Sequence, residues 1–300
     1  MLWLYLALIA YFLNALSFIV DKYLLSSPIP QPFAYAFWVS ILSISAVALI
    51  PFGIAVPSLN YFLIALFSGA AFFGALVFFY RSVKQGDVAV SATNTGVFTV
   101  LFSYIFSYFI LGERLSHANF YAVGLFVLGL VFLGLAGRAV LGYAALSGMF
   151  FSLSFVLLKF TFNYFSHVVP DHFHVFLNGI FWTRIGFVLV VLVPLLFSSI
   201  RKEVVASFRQ APPKSRIVFV LNKVLVGAGF LLLYYAIGLG DVVVINALMG
   251  FQFIFVLILT LVAQRKFPTL ITPSDHLITP SKLTGIFLVV AGFLTFLIHR

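Results

Sequence analysis

Arg184 and Lys223 are the residues whose positions most need a chemical explanation. Both fall inside long apolar runs, and an ionisable side chain at the centre of a membrane helix costs ~2.5–3.5 kcal/mol on insertion scales. Arg184 lies about ten residues into the run 174–197, roughly 15 Å deep at 1.5 Å per residue. A guanidinium at that depth cannot easily snorkel to either surface. Lys223 lies about 10 Å beyond Arg216 and reaches an interface more readily. A guanidinium and an ammonium held at such depths suit an anion site, where they would meet a carboxylate or phosphate. The structural alternatives are pairing with helix carbonyls for Arg184 and snorkelling for Lys223.

Acidic residues are placed differently. No Asp or Glu is expected mid-span, because Asp87, Glu113 and Asp241 all fall at span ends. This argues against exchange of cationic drugs, which needs a buried carboxylate, and leaves proton coupling without a carrier. Asp87 and Asp241 are expected to cap the spans they open, accepting from free backbone N–H groups. Polar residues at helical spacing mark the faces that could meet a cavity: Asn14, Ser17 and Asp21; Ser91, Asn94 and Thr95; Asn222 beside Lys223; Asn246, with Gln252 on a second face. The expected substrate-binding set is therefore Asn14, Tyr80, Asn94, Arg184, Asn222, Lys223 and Asn246, with Tyr80 and Tyr234 near the mouth. The alternative is hydrogen bonding between helices, averaging ~0.6 kcal/mol per contact.

His167, His172 and His174 gather near Asp171, but without the HExxH spacing of a zinc site, so a solvated connection is expected. No P-loop, dinucleotide motif or GxSxG elbow is present. No cofactor or metal is expected, the chain does not read as an enzyme, and ATP-driven transport would need a separate subunit.

The elements that position these residues follow from composition. The chain has 300 residues, 63% hydrophobic and 8% charged, with 39 Phe, 13 Tyr, 3 Trp and no Cys. A soluble domain carries about a quarter charged residues, so this chain cannot clothe a water-soluble surface. The net charge of +10 suits orientation and anionic lipid heads rather than nucleic acid. Disulfides, thiolate metal sites and cysteine nucleophiles are excluded. Crossing the hydrocarbon takes roughly 20 apolar residues as a helix. The runs 2–21, 33–56, 60–80, 88–111, 118–137, 140–162, 174–197, 216–238, 242–263 and 283–299 meet that requirement. They are continuous rather than alternating, which selects helices over a barrel. An all-α membrane protein with ten transmembrane helices is expected.

Pro28, Pro30, Pro32, Pro57, Gly112 and Pro212-Pro213 punctuate the spans, and 267–282, with Pro268, Pro273 and Pro280, reads as an exposed loop. The first run lacks a basic leader and continues into Asp21-Lys22, so it reads as an uncleaved helix. Of the 17 Lys and Arg residues, 12 fall on or beside the connections 22–32, 81–87, 138–139, 198–215 and 264–282. Arg114, Lys159 and Arg300 fall on the other side. The positive-inside rule then puts both termini outside the cytoplasm.

An internal repeat runs through the chain. Gly86-Asp87-Val88-Ala89-Val90 recurs as Gly240-Asp241-Val242-Val243-Val244, each preceded at equal distance by a tyrosine, Tyr80 or Tyr234. Leu16-Ser17-Phe18 with Lys22 recurs as Leu153-Ser154-Phe155 with Lys159, and Gly124-Leu125-Phe126 as Gly285-Ile286-Phe287. The matches pair spans 1 with 6, 4 with 9 and 5 with 10. Two five-span units, 1–137 and 138–300, must enter the membrane in opposite senses. This gives inverted repeats with a site near the midplane.

The stretch from Tyr80 to Gly137, with Gly86-Asp87-Val88-Ala89-Val90, Leu111-Gly112-Glu113-Arg114-Leu115-Ser116 and the glycine-rich span that follows, resembles an EamA repeat of the drug/metabolite transporter superfamily. In that family a Gly-Glu-Arg turn joins the fourth and fifth helices. Spans 6–10 resemble a second, weaker copy, in which Ala263-Gln264-Arg265-Lys266-Phe267 stands where the turn would recur. The resemblance implies a ten-helix carrier of amino acids, other metabolites, nucleotide sugars or drugs. Members are often drawn with cytoplasmic termini, opposite to the charge count. Glu113 and Arg114 read as a structural turn. Gly124, Gly129 and Gly134 would let span 5 pack closely, but they form no GxxxG and do not support dimerisation.

The expected function is secondary transport of a small anionic or zwitterionic metabolite, such as an amino acid or organic acid, by alternating access. Its partners are that solute and membrane lipid, and a bacterial inner membrane is the expected location. An exchanger of nucleotide sugars or phosphorylated metabolites would need both Arg184 and Lys223. A membrane-embedded lipid enzyme would have to use the thin patch at 167–174, and a non-transporting scaffold would lack a hydrated centre.

Overall fold

A computed structural model describes residues 2–26, 29, 31–86, 88–134, 140–266 and 279–298. Asp87, Arg138, Arg300, Pro28, Pro30, Pro268 and Pro273 lie outside them, as does most of the proline-rich connection. Among the described residues the chain is helical and has no strand.

Helix α1 (Leu2–Ser26) is followed by α2 (Pro32–Ile41), which tightens into a 3₁₀ helix (Leu42–Phe52). Then come α3 (Leu59–Gln85), α4 (Val88–Phe106) ending in a π turn (Ser107–Leu111), and α5 (His117–Gly134). The second half contains α6 (Leu141–Phe165), α7 (His172–Leu192) with a 3₁₀ extension (Val193–Leu196), α8 (Ser198–Gln210) and α9 (Pro213–Leu239). It closes with α10 (Val242–Ala247), α11 (Met249–Lys266) and α12 (Pro280–Ile298).

Nine helical segments among the described residues are long and apolar enough to cross a membrane, and His117–Leu133 is apolar but shorter. The chain is thus a multi-pass integral membrane protein. Nine of the ten expected runs match these segments closely, because uninterrupted apolar length is what a bilayer selects, and the run 118–137 corresponds to the shorter helix. Their ends follow local chemistry. Pro32, Pro213 and Pro280 open helices at a position where no N–H is needed. Gly112 at φ 70° stops the π turn. Asp241 caps α10 by accepting from the N–H groups of Val243 (2.7 Å) and Val244 (3.1 Å). Asp171 caps α7 through the N–H of His174 at 2.9 Å. That bond, with the His174 ring behind it, holds the exposed Asp171 carboxyl below the usual carboxylate range.

Three expectations about boundaries need correction. Asp21-Lys22 does not end the first span, because α1 runs on to Ser26. Lys22 and Lys159, read from the sequence as connection charges, both turn into the bundle. Lys22 Nζ donates to Val83 O (2.8 Å) and Gly86 O (2.6 Å) at the C-terminus of α3. Lys159 Nζ donates to Ile237 O, Gly238 O and Gly240 O at 3.0–3.1 Å, at the C-terminus of α9. A helix end bares carbonyls and negative dipole there, so each lysine gains partners inside the bundle. Finally, the connection 198–215 contains α8, a polar helix with too little apolar length to register as a span.

Where helices cross most closely, glycine replaces a side chain. A Cβ on Gly69 of α3 would lie 2.2 Å from the backbone N of Phe187, and one on Gly186 of α7 would lie 2.6 Å from Leu66 Cα. Gly129 of α5 and Gly285 of α12 face each other in the same way, a Cβ on either lying under 3 Å from the other's carbonyl oxygen. The expected close packing of span 5 therefore resides at Gly129, whereas Gly124 faces open space. Gly186→Leu is expected to cost about 3 kcal/mol by overpacking against backbone, read as a lower unfolding midpoint in detergent. Gly124→Ala should leave the midpoint unchanged.

Candidate substrate site

Helices α1, α3, α4, α6, α7, α9 and α11 and the 3₁₀ half of span 2 surround a cavity of about 630 Å³, within the range of small-molecule sites. Two of its walls are irregular. The 3₁₀ helix contributes Leu42, Ser43, Ala46 and Leu49, and at 11 residues it is far longer than the usual 3–4. Span 9 breaks at Leu248 between α10 and α11, and Met249, Gln252 and Phe253 enter the cavity just beyond the break. Irregular backbone at membrane depth is tolerated where it is buried in protein or lines a cavity.

Most of the lining is aromatic or aliphatic, with Phe72, Phe79, Phe151, Phe155, Phe230 and Phe253 prominent. Charge enters at two places. The first is an ion pair between α1 and α9: Lys223 Nζ meets Asp21 Oδ1 at 2.5 Å, with both side chains buried. The same oxygen accepts from Tyr35 Oη (2.6 Å) and Asn222 Nδ2 (2.6 Å). Rings of Tyr35 and Tyr80 lie 4.9 and 5.6 Å from the ammonium. Two opposite charges in one hydrogen-bonded group leave no net charge here. Asp21 thus stands inside α1, one turn before its end, as a buried carboxylate rather than at the expected span boundary, and Lys223 is neither snorkelling nor free.

The second charge is Arg184. Its guanidinium stands over the rings of Tyr234 (4.9 Å), Phe72 (5.3 Å) and Phe187 (5.9 Å). Its hydrogen bond to Ser43 Oγ is long, at 3.4 Å. The ion pairs formed among the described residues are Lys223–Asp21 and His174–Asp171, so no carboxylate there balances Arg184. The cavity wall therefore carries one net positive charge, framed by aromatic faces that favour a cation. Asn14 Oδ1 and Thr95 Oγ1 add two buried polar atoms with no protein partner, both on residues that line the cavity.

Of the residues expected to bind substrate, Asn14, Tyr80, Arg184 and Lys223 line the cavity. Asn94, Asn222 and Asn246 are buried but do not line it. Asn222 serves the ion pair, and Asn246 Nδ2 donates to Ser103 Oγ at 2.7 Å, tying α10 to α4. Tyr80 and Tyr234 are both buried, at 3% and 4% exposure, and of the two only Tyr80 lines the cavity. Asp21, Ser43, Thr95 and the phenylalanine walls complete the site. Among these, Asp21 and Thr95 stand on polar stripes visible in the sequence, whereas Ser43 and the phenylalanines are indistinguishable there from ordinary apolar-span residues.

No family model matches the chain, and no curated protein does. Among solved structures, 28 chains match. One, described only as the crystal structure of a protein, aligns over 98% of this chain and 94% of its own at a TM-score of 0.60 and 17% identity. At that identity the likeness shows a shared fold alone.

Proposed function

We propose that this chain is a secondary transporter that moves a small metabolite carrying one carboxylate, an organic acid or amino acid, by alternating access. Arg184 carries this reading: a cation without a carboxylate partner among the described residues, set in the wall of a cavity large enough for such a solute. A bound carboxylate would neutralise it through two parallel N–H donations, while the phenylalanine walls receive the apolar part. A phosphorylated metabolite or nucleotide sugar brings more negative charge and would need Lys223 as well, but Asp21 already engages that ammonium.

Ten spans in two inverted halves, with α5 as the tenth crossing, fit the packing. Helix α1 lies antiparallel on α9: Asp21 meets Lys223, Asn14 adjoins Gly229, and Trp3 adjoins Gly240. Helix α6 lies antiparallel on α3: Ser147 bonds Ala75 O, Ser154 meets Ser68, and Tyr164 stacks on Tyr61. Spans 1 on 8 and 6 on 3 are the same pairing with the halves exchanged. The two lysines do equivalent work, each holding the end of the other helix in its own half. The glycines they hold share a backbone geometry, φ −130° with ψ −173° at Gly86 and −175° at Gly240. Such a plan, together with the sequence resemblance, supports an EamA-type carrier. The long 3₁₀ helix and the break at Leu248 would be the walls that move in a transport cycle.

Uptake into proteoliposomes tests this. Saturable entry of monocarboxylates or neutral amino acids, without competition from sugar phosphates, is expected. Transport confined to phosphorylated solutes or to organic cations would refute it.

A further inference from the structure

We infer that α8 is a docking site for anionic phospholipid headgroups, seated on the end of the substrate cavity that holds the Asp21–Lys223 pair. This rests on the membrane-spanning fold and is independent of what is carried.

Helix α8 sits between two lipid-facing apolar belts. Leu196 and Phe197, immediately before it, are 82% and 62% exposed, and Ile217 and Leu221, shortly after it, are 60% and 64% exposed. A polar helix bracketed this way lies at the membrane surface. Its two faces have different work. Val204 and Ser207 are buried against the bundle, with Phe208 beside them. Around the other face, Arg201, Lys202 and Arg209 fall within about 100° of arc, with the exposed Val205 between them. Glu203 projects well away from that arc. None of the three cations forms an ion pair among the described residues. A basic arc centred on an apolar side chain is complementary to phosphates at the boundary with acyl chains.

The buried face connects to the cavity. Trp38 Nε1 of α2 donates to Val204 O at 3.2 Å, and its ring lies 4.6 Å from Phe208. Phe208 contacts Phe219 of α9 at 5.8 Å, and Phe219 contacts Tyr35 at 5.0 Å, whose hydroxyl donates to Asp21. Helix α8 thus grips both α2 and α9 beside the ion pair. Lipid that holds α8 against the surface would steady that end of the cavity.

The full-length protein in nanodiscs provides the test. Adding phosphatidylglycerol to phosphatidylcholine discs should raise the unfolding midpoint by on the order of 3 °C or more. It should also change a tryptophan emission component that Trp38→Phe removes. The combined R201Q, K202Q and R209Q variant should match wild type in pure phosphatidylcholine yet lose most of the increment. The charge-keeping pair R201K and R209K should retain it, and high salt should abolish it in wild type. Equal increments in wild type and the neutralised variant would overturn the proposal. So would a salt-insensitive increment in wild type, which decides the matter should the triple variant fail to fold. A shift produced by polyglutamate in phosphatidylcholine discs, but not by phosphatidylglycerol, would assign the face to an acidic protein instead.

Discussion

Lys223→Met alone is expected to destabilise the protein by about 3–5 kcal/mol, the cost of leaving a buried charge without its partner. Asp21 is 2% exposed, so the abandoned carboxylate stays poorly hydrated. Asp21→Asn should cost a similar amount, because it leaves the ammonium unbalanced among Tyr35, Tyr80 and Phe219. The double variant Asp21→Asn with Lys223→Met should be less damaged than the sum of the two. Asparagine keeps an oxygen for Tyr35 and Asn222, methionine fills the space of the lysine stem, and no charge is stranded. A coupling energy of about 2–3 kcal/mol is expected for groups in direct contact, read from unfolding midpoints of all four proteins in one detergent. Additive single effects would show that the two residues do not act as a pair.

That ion pair also shows where the sequence runs short. The spans were legible because apolar length is a local property and a bilayer demands it. The paired lysines were legible as a repeat, since each stands at a fixed distance after a Leu-Ser-Phe triplet. Their burial was not legible, because a charge close to the end of an apolar run looks the same whether it meets water or a helix terminus. Two adjacent charges read as a boundary for that reason, while the cation that pairs with Asp21 lies 202 residues away and the first carbonyl that receives Lys22 lies 61 away. The asparagines illustrate a second limit. Asn14, Asn222 and Asn246 were all recognised as polar groups in apolar helices. Helical spacing reveals that they have a face, not which neighbour that face meets. Only Asn14 of the three meets the cavity, and the others link helices. Helix α8 was overlooked because its signal is alternation between a basic arc and a buried one, over too few residues to stand out among long apolar runs.

Arg184→Gln is expected to separate transport from folding. Its side-chain hydrogen bond to Ser43 is long, and the remaining contacts are with ring faces, so the variant should fold with an unfolding midpoint near that of wild type. Half-saturation for a monocarboxylate should rise instead. A hydrogen bond to a charged group contributes about 1.5–3 kcal/mol, which corresponds to roughly a 10- to 150-fold loss of affinity. Arg184→Lys discriminates further. It keeps the charge but loses the planar fork and much of the stacking over Tyr234 and Phe72. An intermediate loss is therefore expected if both donors of the fork meet the carboxylate. Recovery to wild-type affinity in the lysine variant would mean that charge alone matters. Unchanged affinity in the glutamine variant would remove Arg184 from the binding site. The contrast with Lys223 is physical: one cation is balanced by the fold, so its removal should destabilise the protein, whereas the other has no carboxylate partner among the described residues, so under the proposed function its removal should show in solute binding.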